Sequence, residues 1–299
     1  MNYYNEIKNK IIDNEVYLRV KDYSKERNTL ITYYEVGKLL LEAGSAYGED
    51  IIGNYSKKLM NEVSKKYNPR TLRRMRQLYQ FFEKQKWSPL GTKLSISHIR
   101  QLFCLTDDNE IKYYVEQIEK RNLSKRQLED IIKNKEYERL PEETKNKIMN
   151  QDESNVVDFV KNPIKIKNSN KYDMFSEKVL QKLILEDIPS FLEELGESFT
   201  FIKSEYPIKL GYKYNYIDLL LYNIKYKCYV VVELKATELK KEHTGQIMTY
   251  MNYIDKNIKT LEENKTVGII ICKQDNEYVI KYCSDNRIIA REYELVSYI

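Results

Sequence analysis

Hydrophobic positions in the first half of the chain recur at the spacing of α-helices. The clearest segment begins at Pro69, an entry residue typical of a helix. One face of this helix collects the large apolar side chains, Leu72, Met75, Leu78, Tyr79 and Phe82. Further helices are predicted over Leu30–Ala43 with an end near Gly44, over 54–66, and over Ser97–Phe103, Glu110–Arg121 and Ser124–Lys135. We therefore predict an all-α N-terminal domain over residues 1–150.

The pattern changes at residues 141–172, which are polar and lack sustained periodicity. We interpret them as a connector, with a linker at 151–170. Beyond it, runs rich in β-branched and aromatic residues predict strands, and helical segments interrupt them. One helix is predicted over Phe175–Leu195, kinked or split at Pro189 and stopped by Gly196, and a second over His243–Asn257. The predicted strands are Phe199–Ile208, Tyr214–Tyr222, Cys228–Lys235, Val267–Cys272 and Tyr278–Cys283. This order predicts an α/β domain over residues 171–299.

Composition narrows the class of protein. Of 299 residues, 42% are hydrophobic and 32% charged, which is typical of a globular chain of two domains. No apolar run approaches a membrane span, the N-terminus has no secretory pattern, and the four cysteines lack CxxC spacing, so a cytoplasmic location is expected. With His98 and His243 as the two histidines, His-rich zinc sites and most histidine-dependent triads are excluded. Catalysis would rest on carboxylates, lysine or both.

Positive charge is concentrated in the first half. Residues 51–100 hold 12 basic and 2 acidic side chains. On the helix that begins at Pro69, the side opposite the apolar face carries Arg70, Arg73, Arg74, Arg76 and Lys84. Arginine forks match phosphate oxygens, so this face is a candidate for nucleic-acid binding. A solvated basic helix, or one that meets an acidic protein partner, is the alternative.

Three ionisable residues interrupt apolar strand runs in the second half. Asp218 lies within NYIDLLLYN, and Glu233 and Lys235 close CYVVVELK. Since strand side chains alternate, Glu233 and Lys235 point to the same side. The short connection between the two runs predicts a hairpin that places Asp218 on the adjacent strand. Two carboxylates and an amine at one place suit a divalent cation; a buried ion pair that only holds the strands together is the alternative.

These motifs resemble a known family. YIDLLLYN and VVVELK, followed by GQIMTYMNYID, are similar to the PD-(D/E)xK nuclease superfamily. The resemblance is closer to the YhcG-like group, which joins a helical N-terminal domain to such a nuclease domain. RTLRRMRQLYQFF and LSISHIRQLF carry it into the first half, and together the matching stretches span most of the chain. The resemblance implies a restriction-endonuclease-like mixed sheet flanked by helices.

The resemblance also implies roles for individual residues. Asp218 and Glu233 would be metal ligands, and the backbone carbonyl of Leu234 a further ligand. The implied cofactor is Mg²⁺, with Mn²⁺ as a substitute. Lys235 matches the lysine of the motif and would be catalytic with the two carboxylates. Gln246 and Glu177 match two further catalytic positions, an accessory polar residue and an acid that helps bind metal or water.

Other polar and aromatic residues have simpler interpretations. We expect His243 to cap a helix or lie at the surface, and His98 to be structural. Tyr216 and Tyr250 could stack on bases, although ordinary packing is the expectation for both in a chain with 27 tyrosines.

The sequence thus predicts a cytoplasmic metal-dependent nuclease that acts on nucleic acid, with DNA expected from the resemblance. Cleavage of both strands by one active site needs two copies or two binding events, so a homodimer is a hypothesis. The alternatives are a catalytically inert nucleic-acid-binding protein and a protein-interaction scaffold that retain the fold.

Overall fold

The chain folds into two compact units, Met1–Tyr137 and Glu138–Ile299. The computed structural model describes residues 3–19, 25–47, 51–88, 93–150, 152–168, 176–283 and 285–297. Among these residues no helix combines the length and apolar character that a membrane crossing requires.

The first unit is helical, as predicted. Its helices are α1 (Tyr3–Arg19), α2 (Lys25–Tyr47), α3 (Ile51–Glu62), α4 (Pro69–Gln85), α5 (Ile96–Leu102), α6 (Asp108–Arg121) and α7 (Lys125–Lys133). Helix α1 was not predicted. Helix α2 extends beyond its predicted end because it continues through Gly44, and α3 begins earlier than predicted. Glycine in a helix costs only about 1 kcal/mol, which packing elsewhere along α2 can offset.

The helix α4 forms as its sequence predicts. Asn68 caps its first turn, with Oδ1 accepting a hydrogen bond from the Thr71 N–H, and Lys86 ends it in the left-handed region. Leu72, Met75, Leu78 and Phe82 are buried. α4 packs closely on α2, since a Cβ added at Gly37 would lie 2.1 Å from the Met75 carbonyl oxygen.

The second unit contains a six-stranded mixed sheet with helices on both faces, which confirms the predicted fold class. Its elements are α8 (Glu142–Asn150), β1 (Ile164–Lys167), α9 (Glu177–Glu186), α10 (Ile188–Leu195), β2 (Phe199–Leu210), β3 (Lys213–Asn223), β4 (Cys228–Glu238), α11 (Lys241–Asn257), β5 (Val267–Gln274), α12 (Glu277–Cys283) and β6 (Ile288–Val296). The strand order is β1-β6-β5-β4-β3-β2. β2 with β3 and β3 with β4 are antiparallel pairs, whereas β4 with β5, β5 with β6 and β6 with β1 are parallel pairs.

Two hydrophobic cores cover the two faces of this sheet. Alternation along β4 sends Val230, Val232 and Leu234 to one core and Val231 to the other. Helices α9 and α10 complete the first core, and α11 completes the second. Glu233 and Lys235 continue the alternation on the side of Val231.

Several boundaries differ from the expectations. The predicted linker 151–170 contains β1, which pairs with β6, and α8 before it belongs to the second unit. A strand of four residues is too short to show an alternating pattern in the sequence, so it is identified only by its pairing with another strand. The predicted helix Phe175–Leu195 is split at Asp187, which confirms the break near Pro189; Phe175 lies outside the described residues.

The prediction of a strand over Tyr278–Cys283 is wrong, because these residues lie in α12. The rings of Tyr278 and Tyr282 stack with their centroids 6.5 Å apart, as residues four apart in a helix can do. β-branched and aromatic residues favour strands only where a neighbouring strand accepts them. The strand that pairs with β5 on that side of the sheet is β6, which no prediction covered.

Candidate active site

Asp218 lies at the point where β3 separates from β4. The two strands pair from Leu219–Val232 to Asn223–Cys228. At the next position along β3, the Oδ2 atom of Asp218 accepts a 2.8 Å hydrogen bond from the backbone N–H of Leu234. The hairpin therefore brings Asp218 next to the ExK segment of β4, as its spacing predicts.

Glu233 is the most deeply buried member of the site, with 1% of its surface exposed. Its Oε2 atom accepts a 3.2 Å hydrogen bond from Lys235 Nζ, whereas its Oε1 atom is buried without a hydrogen-bond partner. Burial, and then the neighbouring Asp218 carboxylate, raise the pKa of Glu233 to about 8 against the opposing effect of Lys235. Buried polar atoms in folded proteins normally have a partner, so Glu233 Oε1 is an available donor for a cation.

The charges around Glu233 depend on one another. Burial raises the pKa of Asp218, although the hydrogen bond from Leu234 and the charge of Lys235 lower it in part. Burial on its own would lower the pKa of Lys235, but the carboxylates of Glu233, Glu177 and Asp218 outweigh it and raise that pKa. The amine is therefore protonated at neutral pH.

The structure places Glu177 and Gln246 differently from the three motif residues. Glu177 is the first residue of α9, is exposed, and acts on the site through its charge, which affects the pKa values of Asp218 and Lys235. Gln246 lies on α11, where its Nε2 atom donates a 3.1 Å hydrogen bond to the Tyr250 hydroxyl. Neither residue has a hydrogen bond to Asp218, Glu233 or Lys235 in the described part of the chain.

Two neighbours of Asp218 were missed by sequence reasoning. Gln181 donates a 3.0 Å hydrogen bond from Nε2 to the Asp218 backbone carbonyl. Glu205 on β2 lies opposite Asp218, because Ser204 pairs with Leu219 and Tyr206 with Ile217. Gln181 follows Glu177 by four residues and so shares its helix face, a signal that the sequence contained. Glu205 depends on the register of β2 and had no such signal.

The histidines are structural or capping groups in this structure. His98 is buried, and its Nδ1 atom accepts a hydrogen bond from the backbone N–H of Ser95. His243 Nδ1 accepts one from the backbone N–H of Lys240 at the start of α11. Both expectations are confirmed. Burial, followed by the charge of Lys235, lowers the pKa of His243, which indicates that it lies near the site.

The donor set fits a hard divalent cation held by few protein ligands. Within the described residues no group of three or more His, Cys, Asp or Glu side chains could bind a metal ion. The available donors are the two carboxylates of Asp218 and Glu233, including the unpartnered Oε1 atom. Mg²⁺ is commonly bound through one or two carboxylates, with waters and substrate phosphates completing its shell, so this set is compatible with Mg²⁺.

The first unit presents the basic face expected on α4. Arg70 and Arg73 are exposed, and Arg74 and Arg76 are half-buried. Among the described residues none of the four forms an ion pair with an acid. Burial, and then the charges of Arg70 and Arg100, lower the pKa of Arg74, so Arg100 extends the basic cluster. Lys84 differs, because its Nζ atom already pairs with Asp108 at 2.8 Å.

Each of the two units is similar to a known protein domain. Residues 157–298 match the YhcG PDDEXK nuclease domain, and residues 12–139 match the DUF1016 N-terminal domain. The chain therefore carries a region similar to the DUF1016 N-terminal domain, followed by a region similar to the YhcG PDDEXK nuclease domain. This is the arrangement that the resemblance predicted.

One curated protein and two solved structures are similar to this chain. The chain is 23% identical over 309 residues to the protein named "Putative nuclease YhcG" from Escherichia coli (strain K12), a match that covers 88% of this chain and 82% of that protein. Among solved structures it is similar to a repair endonuclease from Pyrococcus abyssi (20% identity, 42% of this chain, TM-score 0.29). It is also similar to the structure of an EndoMS-dsDNA2 complex (15% identity, 44% of this chain, TM-score 0.29). The chain spans about half the length of each of these two structures.

Proposed function

We propose that this nuclease hydrolyses phosphodiester bonds in a Mg²⁺-dependent reaction, with DNA as its substrate. The observation that carries the proposal is the unpartnered Oε1 atom of Glu233, buried beside a second carboxylate and a protonated amine. The similarity of residues 157–298 to a PDDEXK nuclease domain supports the same reaction class.

Asp218, Glu233 and the backbone carbonyl of Leu234 would hold the metal. A bound Mg²⁺ supplies a charge that acidifies water and offsets negative charge on a phosphoryl group. Its binding would also provide the partner that Glu233 Oε1 lacks. The hydrogen bond from the Leu234 N–H keeps Asp218 Oδ2 in place, so the second carboxylate is already oriented.

The remaining residues would act on water and phosphate. Lys235 Nζ carries its proton at neutral pH and can donate to the attacking water or to a phosphoryl oxygen. Glu177, exposed at the start of α9, is proposed to hold water near this centre. Gln246 is proposed as an accessory donor, for which its amide would have to leave Tyr250. In the overall reaction, water adds across one P–O bond and leaves a phosphate on one fragment and a hydroxyl on the other.

Nucleic-acid binding outside the active site is proposed for the arginine face of α4. Arg70, Arg73, Arg74 and Arg76 would contact phosphates, which adds affinity without sequence preference. Lys84 would join them only after separating from Asp108. A homodimer would supply the second active site for duplex cleavage.

The test compares wild type with Asp218→Asn on linear, nicked and branched duplex DNA, single-stranded DNA and RNA, in Mg²⁺ and in EDTA. We expect Mg²⁺-dependent cutting of DNA that falls at least roughly 10²-fold in Asp218→Asn, the scale of losing one preorganised electrostatic contact. Glu262→Gln, which removes an exposed acid from the same unit, is the matched control and should cut like wild type. Circular dichroism shows whether each variant is folded.

Two results would contradict the proposal. One is cutting that persists in EDTA or in folded Asp218→Asn. The other is a wild type that binds DNA in a salt-dependent way and cuts no substrate, which would favour the inert binding protein.

A further inference from the structure

The hairpin formed by β2 and β3 extends beyond the rest of the sheet. Within the described residues β4 pairs with β3 over Leu219–Asn223, whereas β2 pairs with β3 as far as Leu210 and Lys213. Residues 206–217 therefore form a two-stranded extension, which we call the hairpin arm. It leads directly into Asp218.

One face of the hairpin arm is anchored in the protein. Ile208 and Ile217 are buried in the core that α11 completes. Their burial fixes the orientation of the arm, because successive side chains of a strand point to opposite faces. The other face must then carry Tyr214 and Tyr216.

That other face is aromatic, basic and open to solvent. Tyr214 and Tyr216 are 62% and 57% exposed, and Tyr212 at the turn is fully exposed. Lys209 pairs directly opposite Tyr214, with its Nζ atom 5.9 Å from the ring centroid. None of the three tyrosine hydroxyls makes a hydrogen bond in the described part of the chain.

Ordinary packing does not account for these rings. Tyr250, for which packing was also expected, is 6% exposed and satisfies that expectation, but Tyr216 contradicts it. The arm between residues 206 and 217 contains two lysines and no acid, so its charge is complementary to phosphate. Exposed aromatic rings beside lysines match the surfaces on which nucleic-acid bases stack while the backbone contacts cations.

We propose that the hairpin arm binds an unpaired stretch of the nucleic-acid strand that enters the active site, with Tyr214 and Tyr216 stacking on its bases. The inference rests on the proposed nuclease function for its class of ligand. An unpaired stretch is specified because the bases of a duplex already stack on one another. Tyr216 is two residues from Asp218, about 7 Å along the strand, so a base held there lies close to the reacting phosphate.

The experiment measures equilibrium binding of the full chain to a labelled 20-nucleotide single strand and to a 20-base-pair duplex, in EDTA so that metal-dependent cutting is absent. The variants are Tyr214→Ala with Tyr216→Ala, and Tyr214→Phe with Tyr216→Phe. The matched control is Tyr278→Ala with Tyr282→Ala, which removes two exposed tyrosines beside Lys281 on α12. Cleavage in Mg²⁺ is measured on the same proteins.

We expect the alanine pair to weaken single-strand binding by about tenfold for each ring, and duplex binding by much less. The phenylalanine pair should bind like wild type, since it keeps both rings, and the α12 pair should also bind like wild type. Single-strand affinity that is unchanged in the alanine pair overturns the inference, as does an equal loss for single strand and duplex.

The two proposals fail in different ways. If the wild type cuts DNA and the alanine pair binds normally, the proposed nuclease function is supported and the proposed binding by the hairpin arm is contradicted. If the wild type binds with the expected variant pattern but never cuts, binding by the hairpin arm is supported and hydrolysis is contradicted. A wild type that neither binds nor cuts overturns both.

Discussion

The Oδ2 atom of Asp218 and the backbone N–H of Leu234 are joined by a 2.8 Å hydrogen bond across the gap where β3 leaves β4. This bond connects the two parts of the D…ExK motif through the main chain. Because its donor is an amide of β4, the relative position of Asp218 and Glu233 does not depend on any flexible side chain of the second strand.

Metal binding to this pair should be measurable without activity. We expect Mg²⁺ to raise the melting temperature of wild type, because the cation gives Glu233 Oε1 a partner in the folded state alone. At about 100 times Kd the gain is ~2.7 kcal/mol, or roughly 5–10 °C for a unit of this size. Glu233→Gln should lose the shift and Glu262→Gln should keep it. An equal shift in Glu233→Gln would contradict the assignment of Glu233 as a ligand.

The buried ion pair between Arg139 and Glu194 should dominate the electrostatic stability of the second unit. Arg139 Nη2 donates to Glu194 Oε1 at 3.0 Å, and Arg139 Nη1 contacts Oε2. Arg139→Ala should cost ~3–5 kcal/mol, since Glu194 loses this ion-pair partner and keeps the hydrogen bond from the Lys165 N–H. Glu142→Ala breaks an exposed pair with Lys145 and should cost ~1 kcal/mol or less. Urea denaturation measures both; similar losses would contradict the prediction.

The same ion pair should make the second unit less stable at acidic pH. Burial would raise the pKa of Glu194, but Arg139 and Lys161, with the Lys165 N–H, lower it below its ordinary value. Because the pKa of Glu194 is lower in the folded state, its ionised carboxylate stabilises the fold at pH values above its ordinary pKa of 4.5. This contribution to the free energy of unfolding is lost as the pH falls through the pKa of the folded state. Glu194→Gln should lack this loss in urea titrations between about pH 3 and pH 6. A variant with the acid profile of wild type would exclude Glu194 as its source.

Two glycines of α2 should respond oppositely to alanine. At Gly37 the new Cβ would meet the Met75 backbone, so α2 and α4 must separate, at a cost of ~1–3 kcal/mol. At Gly44 nothing lies within 4 Å, and alanine should stabilise the helix by up to ~1 kcal/mol. Thermal unfolding of the two variants checks this. A stabilised Gly37→Ala would show that the two helices pack less closely than described.

The arginine face of α4 should contribute a salt-dependent part of DNA binding. Replacing Arg70 and Arg73 with glutamine should lower the slope of log affinity against log salt by about 1–2, since each phosphate contact contributes ~0.9. The charge-matched control replaces Lys125 and Arg126, which are exposed on α7, and should change the slope less. Equal changes would indicate general attraction and no preferred face.

Local sequence determined much of the secondary structure and the identity of the three motif residues. Helix α4 could be predicted because Asn68, Pro69 and the repeat of apolar positions all act within a few residues of one another. Glu233 and Lys235 could be placed on one side of β4 because strand side chains alternate whatever the partner strand is. Asp218 could be placed beside them because the short connection between β3 and β4 makes the two strands a hairpin. These are consequences of backbone geometry and need no knowledge of distant contacts.

Tertiary structure decided what depends on distant partners. β1 is a strand because β6 lies beside it, and Tyr278–Cys283 is helical although its composition favours a strand. Glu205 reaches Asp218 only through the register of β2. The exposure of each side chain is likewise a property of the whole fold. Glu233 and Tyr250 are buried, which raises the pKa of Glu233, whereas Tyr216 is exposed to solvent. The solvent exposure of a side chain cannot be predicted from the residues next to it in the sequence, because it depends on which elements cover that side chain after folding.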